Sequence, residues 1–177
     1  MTAAATETLT LAQLSAMDRA AFTAALGDLF EHSPWVAEAV WAKRPFADAL
    51  ALHEAMMRVV RAAAPAQQIA FLRMHPELAG KEAQAGTMTG HSTHEQHGAG
   101  LNALSRDEMR ELQQLNAAYA QRHGFPFIIA VLGHTKPQIF EALRERTSND
   151  TPREVDAALQ QVARITRRRL NALLGSA

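Results

Sequence analysis

The sequence predicts an all-α fold: a single compact multi-helix domain in which an irregular loop region forms the active site. Apolar side chains recur at helical spacing along most of the 177 residues. Residue types that begin or end helices separate these stretches. With 47% hydrophobic residues the chain can build one well-packed core, so one domain is predicted over residues 1–177, with disorder expected, if anywhere, at residues 1–9.

Helix signals in the first half of the chain predict five helices. Ser33-Pro34 combines a cap with proline at the first helical position. Arg44-Pro45 ends the third helix, because the residue before proline avoids helical angles, and Pro76 ends the fifth, with His75 at its C-terminal end. The predicted helices cover residues 11–17, the stretch capped by Asp18 that carries Phe22 to Phe30, and residues 33–43, 46–63 and 65–74.

The second half is predicted to hold four helices around two irregular stretches. Residues 81–90, with two glycines and two threonines, predict a loop, and Pro126 keeps residues 125–131 out of a helix. Ser105 and Glu108 form a capping box, and Thr151-Pro152-Arg153-Glu154 combines a cap, a proline and a capping-box acid. The predicted helices cover residues 93–102, 105–123 (ended by Gly124), 137–146 and 151–174.

The overall charge balance argues against large charged partners. The chain carries 18 basic and 18 acidic residues and no cysteine. Zero net charge gives no electrostatic basis for binding nucleic acid or an anionic membrane surface. The longest strongly apolar run, residues 125–133, is too short to span a bilayer, and the N-terminus does not resemble a signal peptide. A soluble cytoplasmic protein is therefore expected.

Two short polar motifs predict a site. In the first, Pro76 restricts the backbone of His75, and imidazole is the side chain best suited to proton transfer near neutral pH. In the second, Glu95 and Gln96 could together read a ureido or amide group, while Ser92 is predicted to cap their helix and leave N–H groups for an anion. Each has a plainer interpretation: a histidine capping helix carbonyls, and an ordinary acidic helix N-terminus.

Three further features of the sequence are candidate sites. His91, His94 and His97 recur every third residue and could bind zinc, but no His-Glu-x-x-His motif accompanies them. The backbone of residues 125–131 must find hydrogen-bond partners, and a bound polar heterocycle could be one of them. Within residues 167–169, one arginine could turn inward to meet a carboxylate while the others stay in solvent.

Together these residues resemble the family of decarboxylases that act on 2-oxo-4-hydroxy-4-carboxy-5-ureidoimidazoline (OHCU), the last step from urate to allantoin. The resemblance spans nearly the whole chain, and the order and spacing of its motifs are specific. His123 departs from it, because many relatives carry an aromatic residue there. The matching stretches are residues 31–36, 44–46, 75–80, 92–96, 99–101, 116–119, 124–128 and 169–170.

The resemblance implies an all-α enzyme, usually a homodimer, without metal or organic cofactor. It implies that His75 is the catalytic proton donor, that Glu95 is its acidic partner, and that Arg169 binds substrate. It also implies that the substrate site is lined by Pro76, Ser92, Thr93, His94, Glu95, Gln96, Phe127, Ile128, Ile129, Ala130 and Val131.

The predicted function is therefore cofactor-free decarboxylation of OHCU to (S)-allantoin in urate degradation. Loss of CO2 leaves an electron pair that can flow into the adjacent ring C=N bond, so no separate electron sink is needed. Two alternatives stay open: a metal-dependent hydrolase that uses His91, His94 and His97, and a non-catalytic helical interaction module.

Overall fold

The structure, a computed structural model, describes residues 8–175. Most of the stretch predicted to be prone to disorder, residues 1–9, therefore lies outside the described residues. Within that stretch, the Leu9 amide donates a hydrogen bond to the Leu173 carbonyl at 3.2 Å. This bond ties the beginning of the described chain to its last helix.

The described residues contain ten α-helices and no strand, which confirms the all-α prediction. Two 3-10 helices, Gly27–Leu29 and Trp41–Lys43, extend the second and third helices. The α-helices are α1 (Leu11–Ala16), α2 (Arg19–Leu26), α3 (Trp35–Val40), α4 (Ala49–Ala62), α5 (Pro65–Leu72), α6 (Lys81–Ala85), α7 (Gly90–Gly98), α8 (Arg106–His123), α9 (Lys136–Thr147) and α10 (Thr151–Leu174).

Several predicted helix boundaries are confirmed by their capping geometry. The Asp18 carboxylate accepts a hydrogen bond from the Ala21 amide at 2.8 Å and begins α2. Ser105 and Glu108 form the predicted capping box of α8, and Gly124 ends that helix with a φ of 79°. Glycine suits this position because left-handed backbone angles carry a steric penalty for side chains with a Cβ atom.

The region around residues 81–92 differs from the prediction in two ways. Residues 81–85 form α6, which ends at Gly86 with a φ of 69°, and Gly90 begins α7, so only residues 86–89 of the predicted loop are non-helical. Thr89, and not Ser92, caps α7, since its hydroxyl accepts from the Ser92 amide at 3.3 Å. The predicted cap at Ser92 is therefore wrong: α7 begins earlier, and Ser92 is a buried residue within it.

Two other predicted caps are also wrong. The Ser33 hydroxyl donates to the Glu31 carbonyl at 2.9 Å and does not cap α3. At the start of α10, the Asp150 carboxylate accepts from the Arg153 amide at 2.8 Å, which displaces Thr151 as the cap. Glu154, expected to be a capping-box acid, is instead fully buried.

Contacts within the chain define two compact units. Unit 1 consists of the described residues up to Ala62 and those from Thr166 onward, and unit 2 runs from Ala63 to Ile165. The single domain predicted over residues 1–177 stays a prediction. The core of unit 1 includes Phe22, Leu26, Leu52 and Met56, and that of unit 2 includes Leu112, Tyr119, Phe125, Phe127, Leu143 and Val162.

No helix within residues 8–175 is long and apolar enough to cross a membrane.

Candidate active site

His75 lies in unit 2, just beyond the end of α5. Its amide donates to the Leu72 carbonyl at 3.2 Å, which continues the last turn of the helix. The residue is only 8% exposed, and its ring meets the ring of Phe71 edge-on, with the centroids 5.3 Å apart. The imidazole is therefore held in the protein and is not a mobile surface group.

The loop that follows His75, residues 76–80, is closely restrained. The Asn116 side-chain amide donates to the Leu78 carbonyl at 3.0 Å, and Ala79 has a φ of 47°. A Cβ atom at Gly80 would lie 2.6 Å from the Cβ atom of Glu77, which is too close for two carbon atoms that are not bonded to each other. These contacts fix the backbone on the C-terminal side of His75.

Gln96 joins the two motifs that the sequence singled out. Its side-chain oxygen accepts from the Ala79 amide at 2.8 Å, and its nitrogen donates to the Glu77 carbonyl at 3.3 Å. The Gln96 side chain, which is buried, thus binds the loop after His75 from helix α7. Direct substrate contact by this amide stays a prediction, but its role in connecting the motifs is visible.

The other predicted residues of α7 differ in exposure. Ser92 is buried, Thr93 and Glu95 are partly buried, and His94 is exposed. Residues three or four positions apart lie on the same side of a helix, so Ser92, Glu95 and Gln96 share one side of α7. The partly buried Glu95 therefore lies on the side of α7 that binds the loop after His75.

His75 and Gln96 line different cavities within unit 2. His75 lines an open cleft of about 450 Å³ together with Arg73 and Lys81, the acids Glu77 and Glu82, and residues 124–126. Gln96 and His97 line a smaller cavity of about 190 Å³, whose lining also includes Ala79. Neither lining includes Glu95. The connection between the two motifs that the structure shows is thus the pair of hydrogen bonds from Gln96 to Glu77 and Ala79.

The predicted segment from Phe127 to Val131 is non-helical and mostly buried, as expected. Three of its backbone groups bind side chains of unit 2. The Ile128 carbonyl accepts from Arg146 at 2.8 Å, and the Ala130 amide donates to the Gln161 side chain at 3.1 Å. The Ala130 carbonyl lies 2.9 Å from Nδ1 of His134. Protein side chains therefore already satisfy part of the backbone that a ligand was expected to meet.

Behind this segment lies a buried network centred on Glu154. The Arg146 Nη2 atom lies 2.9 Å from Glu154 Oε2, and the Tyr119 hydroxyl donates to the same oxygen at 2.6 Å. Burial acts to raise the pKa of Glu154, but hydrogen bonds from Arg146, Tyr119 and Asn149 outweigh it and hold the pKa below its ordinary value. Burial, together with the hydrogen bond to Glu154, raises the pKa of Tyr119 far above its ordinary value.

Arg169, the predicted substrate-binding arginine, lies in unit 1. Its Nη2 atom lies 2.9 Å from Glu31 Oε1, and its Nη1 atom donates to the Leu29 carbonyl at 3.2 Å. Both charged side chains are almost fully buried. The inward-turned arginine expected within residues 167–169 is thus Arg169, and the carboxylate it meets is that of Glu31. Its contact with substrate stays a prediction.

The metal-binding alternative gains no support from the geometry. His91, His94 and His97 are all exposed. Within residues 8–175, no three His, Cys, Asp or Glu side chains come close enough together to hold a metal ion. The spacing of the three histidines is therefore a feature of an exposed helix surface.

The sequence did not assign roles to Arg146, Gln161 or His134. Each binds the segment from Phe127 to Val131, yet none belongs to a motif. The available signals were weak: Tyr119 appeared only within a matching stretch, and Glu154 was interpreted as a helix cap. Their shared network depends on packing between residues far apart in sequence.

A buried histidine beside a restrained loop in an all-α fold is typical of an enzyme active site. Comparison with known proteins identifies the family. The sequence model of the OHCU decarboxylase family matches residues 15–171. The chain belongs to this family.

Individual relatives agree with the family match. The chain is 38% identical over 162 residues to the putative 2-oxo-4-hydroxy-4-carboxy-5-ureidoimidazoline decarboxylase of Homo sapiens, covering 92% of this chain and 94% of that one. It is 41% identical over 161 residues to a uric acid degradation bifunctional protein of Bacillus subtilis, covering 91% of this chain but 32% of that one.

A solved structure supports the fold. The crystal structure of (S)-allantoin synthase superposes with a TM-score of 0.75 at 28% sequence identity. The match covers 94% of this chain and 54% of the other. The chain thus corresponds to about half of that protein, and to nearly the whole of the human relative.

Proposed function

We propose that the protein decarboxylates OHCU to (S)-allantoin without a cofactor. Family membership supports the reaction. The structural observation that carries the proposal is the placement of His75, buried at the end of α5 and followed by a loop that Gln96 binds from α7. An imidazole so held can deliver a proton from one fixed direction, as stereospecific chemistry requires.

The reaction makes modest demands on the protein. When the carbon–carboxylate bond breaks, CO2 leaves and the electron pair moves into the ring, where the adjacent C=N bond accepts it. The ring nitrogen that receives this electron pair takes up a proton. The neighbouring ring carbon, which becomes the stereocentre of allantoin, then takes up a second proton, while the ring hydroxyl releases its proton and becomes a carbonyl. The protein has to orient the carboxylate, bind the hydroxyl and protonate one face.

We assign the last two of these tasks to residues of unit 2. His75 protonates the ring carbon and so determines the (S) hand of the product. Glu95, partly exposed on the side of α7 that carries Gln96, accepts a hydrogen bond from the ring hydroxyl. Pro76, the stretch Ser92–Gln96 and the segment Phe127–Val131 shape the binding site. The homodimer and the cytoplasmic location expected from the sequence belong to this proposal as well.

The proposed function is tested by the purified wild-type protein alone. Freshly prepared product of urate oxidation and hydrolysis is mixed with the protein, and the appearance of optically active allantoin is followed by circular dichroism. We expect a rate above that of the spontaneous reaction and an excess of the (S) enantiomer. A rate and an enantiomer ratio equal to those of the buffer control would refute the proposal and favour a non-catalytic interaction module.

A further inference from the structure

Arg146 of helix α9 contacts the segment Phe127–Val131 at two adjacent residues. Its Nη1 atom donates to the Ile128 carbonyl at 2.8 Å. The carbon at the centre of its guanidinium lies 4.6 Å from the ring centroid of Phe127, within the range of a cation–π contact. One side chain therefore holds both a carbonyl and an aromatic ring of a segment that has no helical hydrogen bonds.

Arg146 is in turn fixed by Glu154. Its Nε and Nη2 atoms lie 3.1 and 2.9 Å from Glu154 Oε2, and the guanidinium side chain is only 14% exposed. Asn149 donates to the other carboxylate oxygen at 2.8 Å, and the Tyr119 hydroxyl donates to the first. Because both oxygens of this buried carboxylate are engaged, the guanidinium has little freedom to turn away from Ile128.

A buried ion pair is by itself weak evidence of a contribution to stability, because desolvation offsets much of the attraction. What this network supplies in addition is geometry. Arginine offers several N–H donors in one rigid plane, so it can bind a carboxylate and a carbonyl at the same time. Lysine can match the charge of arginine, but it cannot reproduce this planar arrangement.

We propose that Arg146 is a positioning residue. Fixed in place by Glu154 and Tyr119, it holds the segment Phe127–Val131 in its substrate-binding conformation. This inference rests on the proposed function, because it requires the segment to bind substrate. Arg146 contacts the segment through Phe127 and Ile128, and it takes no part in proton transfer. When only a fraction of molecules is competent to bind, the apparent dissociation constant rises by the inverse of that fraction.

The test compares Arg146→Lys with Arg144→Lys in the allantoin assay. Arg144 lies on the same helix, but its side chain is 51% exposed, and it pairs with Glu111 at the surface. For Arg146→Lys we expect KM to rise about tenfold, close to the lower end of the range for one hydrogen bond to a charged group, while kcat falls much less. Arg144→Lys should keep both constants at the wild-type values.

A second control separates positioning from general destabilisation. Leu143, also on α9, is fully buried, so Leu143→Ala removes core packing without removing a bond to Ile128. All variants are assayed at a temperature where far-ultraviolet circular dichroism shows them folded. If Leu143→Ala raises KM as much as Arg146→Lys does, the rise in KM is caused by general destabilisation, and the positioning role is refuted.

Tyr119→Phe provides an independent variant if Arg146→Lys does not fold. It keeps the ring and removes the hydroxyl that restrains Glu154, and we expect KM to rise about two- to threefold, less than for Arg146→Lys because Arg146 keeps its own bonds to Glu154 and Ile128. An active wild type with unchanged KM in the folded variants would overturn the positioning role alone. An inactive wild type would overturn the proposed function and this inference with it.

Discussion

In unit 2, single side chains form hydrogen bonds with main-chain groups that lie outside the helices. Gln96 binds both Glu77 and Ala79, and Arg146 binds Ile128. Buried polar groups normally have hydrogen-bond partners, so these side chains replace the backbone hydrogen bonds that a strand or helix would supply. The stretches proposed to bind substrate are therefore held by specific side chains.

The sequence identified some of these residues but not their partners. Gln96 was expected to face a ligand, because a free amide both donates and accepts hydrogen bonds. In the structure its two hydrogen bonds go to residues 17 and 19 positions away. No local rule predicts such pairs, since they depend on how the helices pack. For the same reason, local patterns assign no role to Arg146 or Tyr119 and predict only a capping role for Glu154.

Tyr119, the only tyrosine in the chain, allows a direct test of the buried network by alkaline titration. Burial and the neighbouring Glu154 raise its pKa above the ordinary value of 10.0, so the folded protein keeps the proton that the unfolded chain releases. Stability from this source is complete below pH 10 and declines as the pH rises above it, because the unfolded state then binds fewer protons.

We therefore expect no tyrosinate absorbance near 295 nm at the ordinary pKa, and a cooperative rise only when far-ultraviolet circular dichroism shows unfolding. Free tyrosine in the same buffers serves as the control. A gradual ionisation centred near pH 10 in a protein that is still folded would show that Tyr119 is not buried against Glu154.

At the scale of elements, local rules located helices well but not every helix start. Asp18, Ser105 and Gly124 delimit helices as predicted. The rules failed where two capping residues lie close together, as at Thr89 and Ser92 or at Asp150 and Thr151. Both members of each pair can cap a helix locally, and packing of the first turn decides between them.

The loop from Pro76 to Gly80 yields a prediction at this scale. A Cβ atom at Gly80 would lie 2.6 Å from the Glu77 Cβ atom, so Gly80→Ala must displace the loop that follows His75. We expect a loss of roughly 1–3 kcal/mol in the free energy of unfolding, the usual range for overpacking, together with a lower kcat/KM. Urea denaturation and the allantoin assay measure the two effects.

Gly90→Ala is the matched control, because a Cβ atom there meets nothing within 4 Å at the start of α7. It should leave stability unchanged or slightly increased, since alanine restricts the unfolded chain. If Gly80→Ala proves as stable and as active as Gly90→Ala, the loop is not held as described.

At the scale of the whole molecule, periodicity and composition sufficed for the fold class. The all-α prediction is confirmed, and the family suggested by the order of the motifs is the one whose sequence model matches residues 15–171. The buried pair of Arg169 and Glu31 joins residues 138 positions apart in unit 1. The sequence indicated an inward arginine in this region but offered no way to choose Glu31 as its partner.

The central claim is that the buried His75, and not the exposed histidines of α7, delivers the proton. The most direct measurement is the rate of (S)-allantoin formation, followed by circular dichroism, for His75→Gln beside His91→Gln. We predict that His75→Gln stays folded and loses about 10²- to 10⁴-fold in rate, the usual contribution of a general acid, while His91→Gln keeps wild-type activity. Near-normal formation of (S)-allantoin by folded His75→Gln would contradict the claim.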